Sequence, residues 1–111
     1  AFYNNQRIRV SKKIQINECL FATSGNINNK LDLQFRKSGS AALDMAYVAS
    51  GRYDGYFQDN LNLWDVAAGI IIVKEAGGVI NEINLNEYKE IKVIASSNNI
   101  SAKLNQKLSN F

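Results

Sequence analysis

Apolar positions recur with a period of two in the first part of the chain, which predicts strands. Alternation predicts a strand from Gln6 to Ser11, and a short apolar run predicts another from Glu18 to Thr23. The asparagine-rich residues 25–34 are weakly patterned and are predicted to form a loop. Alternating leucine and phenylalanine within residues 31–35 then indicate the start of a further strand.

Helical spacing replaces this alternation from Ser40 to Ser50. Ser40 is the expected N-cap of this helix, and Gly51 follows directly after its end. The small and apolar side of the helical repeat carries Leu43, Ala46, Tyr47 and Ser50. The Asp-Gly turn in "RYDGYFQ" is then predicted to lead into a buried aromatic strand.

A second helix is predicted within "LNLWDVAAGIIIVKEAGG". Asn62 is its expected N-cap, Asp65 then occupies the third helical position, and Gly77-Gly78 ends the helix. Residues 66–73 are apolar or small on every side, so this helix is expected to be buried over most of its surface.

The rest of the chain completes an alternating order of strands and helices. "GVI" and "IKVIASS" are predicted strands, and residues 100–108 form a closing helix with Ile100, Leu104 and Leu108 in line. The order strand, helix, strand, helix, strand, strand, helix favours a layered α/β domain with a mixed sheet. The length of 111 residues and the 46% hydrophobic content fit one domain over residues 1–111.

Composition and charge narrow the function classes. Thirteen basic and ten acidic residues with no histidine give a net charge of +3, too weak a field to indicate a nucleic-acid partner. Cys19 is the single cysteine, which excludes an internal disulfide and a cysteine-based zinc site and favours a reducing, cytoplasmic location. No apolar stretch approaches the ~20 residues of a membrane span, and no signal peptide is recognisable. The chain has no proline and begins at Ala1 without a methionine, as expected for a fragment, an excised domain or a processed protein.

Asp65 is the main candidate for chemistry, and two interpretations are open. An acid in the first turn of a helix interacts favourably with the unpaired amides there, worth about 0.3–1 kcal/mol. A carboxylate held at a rigid helix start is also a suitable ligand for a hard cation such as Mg²⁺. The neighbouring Trp64 is interpreted as a core residue, because large aromatic side chains usually pack across adjacent elements.

The turn in "KSGSAAL" is the second candidate. Backbone amides at Gly39, Ser40 and Ala41 open a helix and could face an anion or a hydroxyl-rich ligand. The alternative is a tight strand-to-helix turn that needs small residues for packing.

These stretches together resemble the inositol monophosphatase family of Mg²⁺-dependent, lithium-sensitive sugar-phosphate phosphatases. "WDVAAGIIIVKEAGG" resembles the carboxy-terminal signature of that family, and "RKSGSAALDMAYVASGRYDGYF" resembles the segment before it. "AFYNNQRIRVS" resembles the family's central strand region. The resemblance therefore covers nearly the whole chain.

The resemblance implies roles for individual residues. Asp65 matches a metal ligand, and Gly39, Ser40 and Ala41 match the turn whose backbone contacts substrate hydroxyls. The implied reaction is metal-assisted attack of water on a phosphate monoester, with a small sugar phosphate as substrate and a homodimer as the expected assembly.

Three departures from the family pattern modify these expectations. The family's other metal ligands lie in a motif of the type Asp-Pro-x-Asp-Gly-Thr, which this proline-free chain does not contain. Because most of the metal site is therefore missing, this chain alone is expected to be inactive. Residues 1–13 are expected to hold a strand that pairs with the absent amino-terminal domain. Gln58 stands where many members place a substrate-binding glutamate, and too few residues separate Thr23 from Arg36 for a helix found in relatives.

Three functions follow from these observations. The first is the carboxy-terminal part of an inositol monophosphatase-like enzyme, with a sugar or nucleotide bisphosphate phosphatase of the same superfamily as a variant. The second is a non-catalytic interaction module that keeps the fold and uses an apolar face for association. The third is weak polyanion binding through the basic residues between Arg7 and Lys13, which fit a solvated strand face at least as well.

Overall fold

A five-stranded mixed sheet lies at the centre of the structure. The computed structural model describes residues 2–3, 6–23, 33–37, 39–84 and 86–108. In chain order its strands are β1 (Phe2–Tyr3), β2 (Gln6–Arg7), β3 (Leu20–Thr23), β4 (Gln34–Lys37), β5 (Gly55–Leu61), β6 (Gly78–Ile80) and β7 (Ile91–Ser97). The large sheet has the order β4-β3-β5-β7-β6, and β1 and β2 form a separate antiparallel pair.

Strand direction places three strand ends at one edge of this sheet. β3 is parallel to both β4 and β5, whereas β7 is antiparallel to β5 and β6. The carboxyl ends of β4 and β5 are followed by helices α1 (Ala41–Ala49) and α2 (Leu63–Glu75). Sheets of this kind bind ligands in the crevice outside the carboxyl ends of their strands.

The helices cover the sheet from both sides. The core between the sheet and helices α1 and α2 is built of small and branched residues with Met45 and Tyr56. The opposite core contains Phe21 and Phe57 and is closed by helix α3 (Ser101–Lys107) and the apolar residues beside it. Successive residues of β3 and β5 alternate between these two cores, as the period of a strand requires. The predicted layered α/β fold with a mixed sheet is confirmed.

Helices α1 and α2 approach each other closely at Gly69. A Cβ atom added at Gly69 would lie 2.7 Å from Met45 Sδ and 2.9 Å from Met45 Cβ. Met45 is fully buried, so the missing side chain at position 69 permits this helix spacing.

Glycines end both long helices in the left-handed region. Gly51, with φ of 81°, follows α1, and Gly77, with φ of 91°, follows α2. These are the stop positions expected from the sequence, since glycine adopts positive φ without a Cβ clash.

At the opposite edge of the sheet, a buried carboxylate anchors the segment that precedes β3. Asp54 Oδ2 accepts hydrogen bonds from Leu20 N at 2.7 Å and from Lys13 Nζ at 3.2 Å. Ser97 N donates to Asp54 O at 3.2 Å and connects the end of β7 to the start of β5. The acid of the Asp-Gly turn therefore also anchors the start of β3.

Several sequence-based boundaries differ from the structure. The first predicted strand is limited to Gln6–Arg7, and Ile16–Glu18 forms a 3-10 turn before β3. The predicted loop at residues 25–34 lies mostly outside the described residues, whereas the strand expected near Phe35 is confirmed as β4. Ile100, Leu104 and Leu108 are buried in line, as predicted.

The small and apolar side of the first helical repeat is not the buried side of α1, and the prediction that α2 is buried over most of its surface was wrong. The buried residues of α1 are Asp44, Met45, Val48 and Ala49, whereas Leu43 is 48% exposed. In α2 only Val66, Gly69 and Val73 are buried, and Ile71 is 59% exposed. A helix with small or apolar residues on every side does not reveal which side faces the sheet. No helix in the described ranges is long and apolar enough to cross a membrane.

Candidate functional site

A groove of about 480 Å³ opens where helices α1 and α2 begin. Its lining contains Gly39, Ser40, Ala41, Ala42, Leu61, Trp64 and Asp65. Two sequence candidates that are more than 20 residues apart therefore border one space. Both helices direct their first, unpaired amides toward this end, which favours negative charge in the groove.

The turn from Gly39 to Ala41 forms one wall of the groove. Ser40 is the N-cap of α1, and its side-chain oxygen accepts a hydrogen bond from Leu43 N at 3.2 Å. A Cβ atom added at Gly39 would meet nothing within 4 Å. Packing within the described residues therefore does not explain the glycine, and its backbone is open to the groove.

Asp65 lies opposite this turn in the first turn of α2. Its side chain is exposed, and its backbone N donates to Asn62 O at 3.0 Å. Asn62 occupies the predicted N-cap position, but its side chain makes no capping hydrogen bond. The Asp65 carboxylate is thus the acidic group of the first turn, where the helix field stabilises it.

An irregularity at the end of β5 sets the direction in which α2 begins. The register with β7 shifts between Gln58 and Leu61, and Asn60 adopts a positive φ of 56°. Asparagine tolerates this left-handed conformation better than most residues. Bulges of this type bend a strand and re-aim the following residues, here toward the groove.

Gln58 lies on β5 outside the lining of the groove. Its Oε1 accepts a hydrogen bond from Thr23 Oγ1 at 2.9 Å, and its Nε2 donates to Asp59 O at 3.2 Å. The structure therefore brings Gly39, Ser40, Ala41 and Asp65 together and orients Gln58 toward β3. A contact between Gln58 and a substrate stays a prediction.

Trp64 is not a core residue, and its assignment to the core was wrong. Its side chain is 78% exposed and lines the groove beside Asp65. The indole stacks on Tyr88 with ring centroids 5.9 Å apart and an angle of 6° between the planes. Position 64 lies on the side of the helix opposite Val66. The exposure of Trp64 therefore follows only once Val66, Gly69 and Val73 are known to form the buried side of α2.

One carboxylate does not complete a magnesium site. Within the described ranges, no group of three His, Cys, Asp or Glu side chains is close enough to hold a metal ion. Asp65 is accessible and suits one ligand position, whereas Mg²⁺ needs several oxygen ligands in near-octahedral geometry. No catalytic step through a metal follows from this chain by itself.

Cys19 offers no nucleophile to the groove. It is buried in the core on the α3 side, and its Sγ donates to Gln15 O at 3.3 Å. Burial raises the pKa of the Cys19 thiol to about 11, and the nearby Asp54 carboxylate adds to this shift. The thiol is therefore protonated at neutral pH and unreactive.

Comparison with known proteins places these features in one family. The model of the inositol monophosphatase family matches residues 1–110. The Thermotoga maritima protein named "Fructose-1,6-bisphosphatase/inositol-1-monophosphatase" is 41% identical over 96 residues, covering 78% of this chain and 38% of that protein. The Haemophilus influenzae "Nus factor SuhB" is 35% identical over 125 aligned residues, covering 97% of this chain and 47% of that protein.

The structural comparison agrees with the sequence comparison. A solved Thermotoga maritima IMPase superposes with a TM-score of 0.85 and 34% identity, covering 98% of this chain and 47% of that one. The chain thus spans half or less of the length of these relatives. The alignment of 125 positions with the Haemophilus influenzae protein also exceeds the 111 residues here, so that relative contains additional internal residues. The match over residues 1–110 and the shared fold establish that the chain belongs to the inositol monophosphatase family.

Proposed function

We propose that this chain forms one wall of the active site of a Mg²⁺-dependent phosphate monoester hydrolase that acts on inositol monophosphate or a related sugar phosphate. The observation that carries the proposal is the groove in which the Gly39–Ala41 turn faces Asp65. Two helix N-termini meet there, and such ends favour anionic groups and leave backbone amides available as donors.

Each wall of the groove has a distinct role in this proposal. Backbone groups at Gly39, Ser40 and Ala41 bind substrate hydroxyls, and Asp65 contributes one oxygen ligand to a magnesium site. Residues outside this chain supply the remaining ligands. When bound, the metal would polarise the phosphoryl oxygens and activate water.

The proposal extends to assembly and location. A segment corresponding to the unmatched part of the relatives completes the site, and the finished enzyme is a homodimer. Cys19, the single cysteine and a free thiol, fits a reducing cytoplasm. Sugar bisphosphates are also candidate substrates, because the Thermotoga maritima relative is named both a fructose-1,6-bisphosphatase and an inositol-1-monophosphatase.

Joining the chain to the unmatched segment of the Thermotoga maritima relative tests this function. We expect release of phosphate from inositol 1-phosphate in the presence of Mg²⁺, whereas the isolated chain releases none. Asp65→Asn in the joined protein is expected to lower kcat by about 10²-fold, because one group that stabilises the transition-state charge is removed. Asp59→Asn is the matched control, since Asp59 is an exposed acid on β5 outside the groove lining.

The outcome for Asp65 decides its assigned role. Hydrolysis that persists unchanged in Asp65→Asn would remove this residue from the metal site. A joined protein that folds and releases no phosphate would contradict the phosphatase function as a whole.

A second candidate function is a non-catalytic interaction module. Exposed Ile71 on α2 and Leu43 on α1 favour it, because large apolar side chains in solvent often mark association surfaces. Size-exclusion chromatography with light scattering tests it, and a monomer at all concentrations would count against it.

A further inference from the structure

A second groove, of about 560 Å³, lies beside helix α3 on the side of the sheet opposite α1 and α2. Its lining consists of Ile16, Lys103, Gln106 and Lys107, and we call it the α3 groove. Ile16 precedes β3 and the other three residues lie on α3, so the groove follows the flank of α3 that faces β3. Among the described residues it shares no lining residue with the groove at the start of α1 and α2.

The strand connections explain why this flank of α3 is open. The connection from β4 to β5 passes over β3 and carries α1 on the other face of the sheet. The connection from β3 to β4 runs across the sheet in the opposite direction, so a right-handed crossover there lies on the α3 face. Only residues 24–33 form this connection, whereas a crossover takes about a dozen residues or more and usually contains a helix.

The short connection distinguishes this chain from its relatives. The additional internal residues of the Haemophilus influenzae protein agree with the expectation that relatives have a further helix between the positions of Thr23 and Arg36. By the handedness of the crossover, that helix belongs on the α3 face over β3 and β4. The α3 groove is therefore placed where a helix packs in the longer members of the family.

Apolar side chains on this face are only partly buried. Phe35 on β4 is paired with Phe21 on β3, yet only Phe21 is fully buried. Leu33 is half-buried in the same core. Ile14 is 60% exposed, and its carbonyl oxygen accepts a hydrogen bond from Lys103 Nζ at 3.1 Å. The face therefore offers apolar contacts of the kind that an amphipathic helix uses when it lies in a groove.

The rim of the α3 groove is basic. Lys103 and Lys107 are exposed one helical turn apart, and no acidic residue follows Glu90 in the sequence. Like charges four residues apart on a helix repel each other, so a negatively charged partner is favoured beside them. A second copy of the basic α3 would add to the repulsion, and a nucleic-acid backbone would leave the apolar contacts unused.

We propose that the α3 groove binds an acidic amphipathic helix of a partner protein. Apolar side chains of that helix pack against Ile16, and its carboxylates lie beside Lys103 and Lys107. The partner helix takes the position that a crossover helix has in longer relatives. The proposal does not depend on the phosphatase function, because the two grooves lie on different parts of the molecule.

Fluorescence anisotropy with a designed helical peptide tests this inference. The probe has about 18 residues, with leucines on one face and glutamates on the others, because much shorter isolated helices are marginal in water. The 111-residue chain is titrated into the labelled probe and into a second probe that has lysine in place of every glutamate. We expect the glutamate probe to bind with a Kd of about 10–100 μM that rises with salt, and the lysine probe not to bind.

Charge substitutions on α3 locate the binding site. Lys103→Glu is expected to weaken binding of the glutamate probe about fivefold or more, and a glutamate in the first turn of a helix is compatible with folding. Gln106→Lys is expected to strengthen binding about threefold, a gain that misfolding cannot produce. Lys74→Glu is the matched control, because Lys74 is an exposed lysine of α2 outside the α3 groove and should leave the Kd unchanged.

A longer connection supplies an intramolecular competitor. Residues 24–33 are replaced by the corresponding segment of the Haemophilus influenzae relative, and circular dichroism checks that the protein is folded. The added helix is expected to cover the α3 groove and abolish binding of the glutamate probe.

Four results would overturn the inference. Failure of the glutamate probe to bind would show that the α3 groove accepts no helix, and equal losses in Lys103→Glu and Lys74→Glu would indicate general charge attraction. Displacement of the probe by a uridine RNA oligonucleotide whose own affinity falls in Lys103→Glu would identify a polyanion site. Dimerisation of the chain that Lys103→Glu removes, seen by light scattering, would identify a second copy as the occupant.

Discussion

Gly69→Ala is the substitution that most directly tests how helices α1 and α2 set the groove. Because the two groove walls begin these helices, their spacing fixes the distance between the Gly39–Ala41 turn and Asp65. The added methyl group would lie 2.7 Å from Met45 Sδ and 2.9 Å from Met45 Cβ. The sulfur can move aside, but Cβ is fixed to the α1 backbone, so the helices must separate.

Two opposing terms determine the size of the effect. Alanine is favoured over glycine in a helix by about 1 kcal/mol. Overpacking a tight core costs about 1–3 kcal/mol. Gly69→Ala is therefore expected to lower the free energy of unfolding by about 0–2 kcal/mol, although helix propensity alone predicts a gain.

Urea denaturation of four variants separates these terms. Ala68→Gly, at an exposed position of the same helix, calibrates propensity and should cost about 1 kcal/mol. Met45→Ala should cost about 2–5 kcal/mol by leaving a cavity. Met45→Ala removes Sδ but keeps Cβ, so the double variant Gly69→Ala with Met45→Ala should be more stable than the sum of the single losses by only about 0.5 kcal/mol, the part of the strain that the sulfur causes.

The measured stability of Gly69→Ala can contradict a clash between residues 69 and 45. A Gly69→Ala protein that gains the stability that Ala68→Gly loses would show that no strain arises at this contact.

Three further predictions concern Cys19, the buried carboxylate and the N-cap. The folded-state pKa of Cys19 is raised from 9.0 to about 11, so between these pH values only the unfolded thiol ionises and the free energy of unfolding should fall with rising pH, by up to about 3 kcal/mol; Cys19→Ala should flatten that part of a pH series of urea transitions. Lys13→Ala should lower the melting temperature through a loss of about 1–2 kcal/mol, because Asp54 loses one donor and keeps Leu20 N, and an unchanged melting temperature would contradict a role for the ion pair. Ser40→Ala should cost about 1 kcal/mol in the same assay by leaving Leu43 N without its cap, whereas Ser40→Thr should preserve stability.

The element order and the helix ends were determined by local chemistry. Ser40 as N-cap, Gly51 and Gly77 as stops, and the strand period around Phe21 and Phe57 all depend on neighbours within a few residues. The family signature likewise identified Asp65 and the Gly39–Ala41 turn as candidates. The cap, the helix ends and the strand period involve no contacts between distant residues, and for this reason the sequence was sufficient to predict them.

The tertiary structure decided which side of each helix faces the sheet. Residues 66–73 are small or apolar throughout, so periodicity gave no direction, and the close contact between Gly69 and Met45 selected the buried side. That choice placed Trp64 in solvent, stacked it on Tyr88 and brought it to the groove beside Asp65. Helix packing couples residues that are distant in sequence, and for this reason the groove and the stacked pair of Trp64 and Tyr88 could be found only in the folded chain.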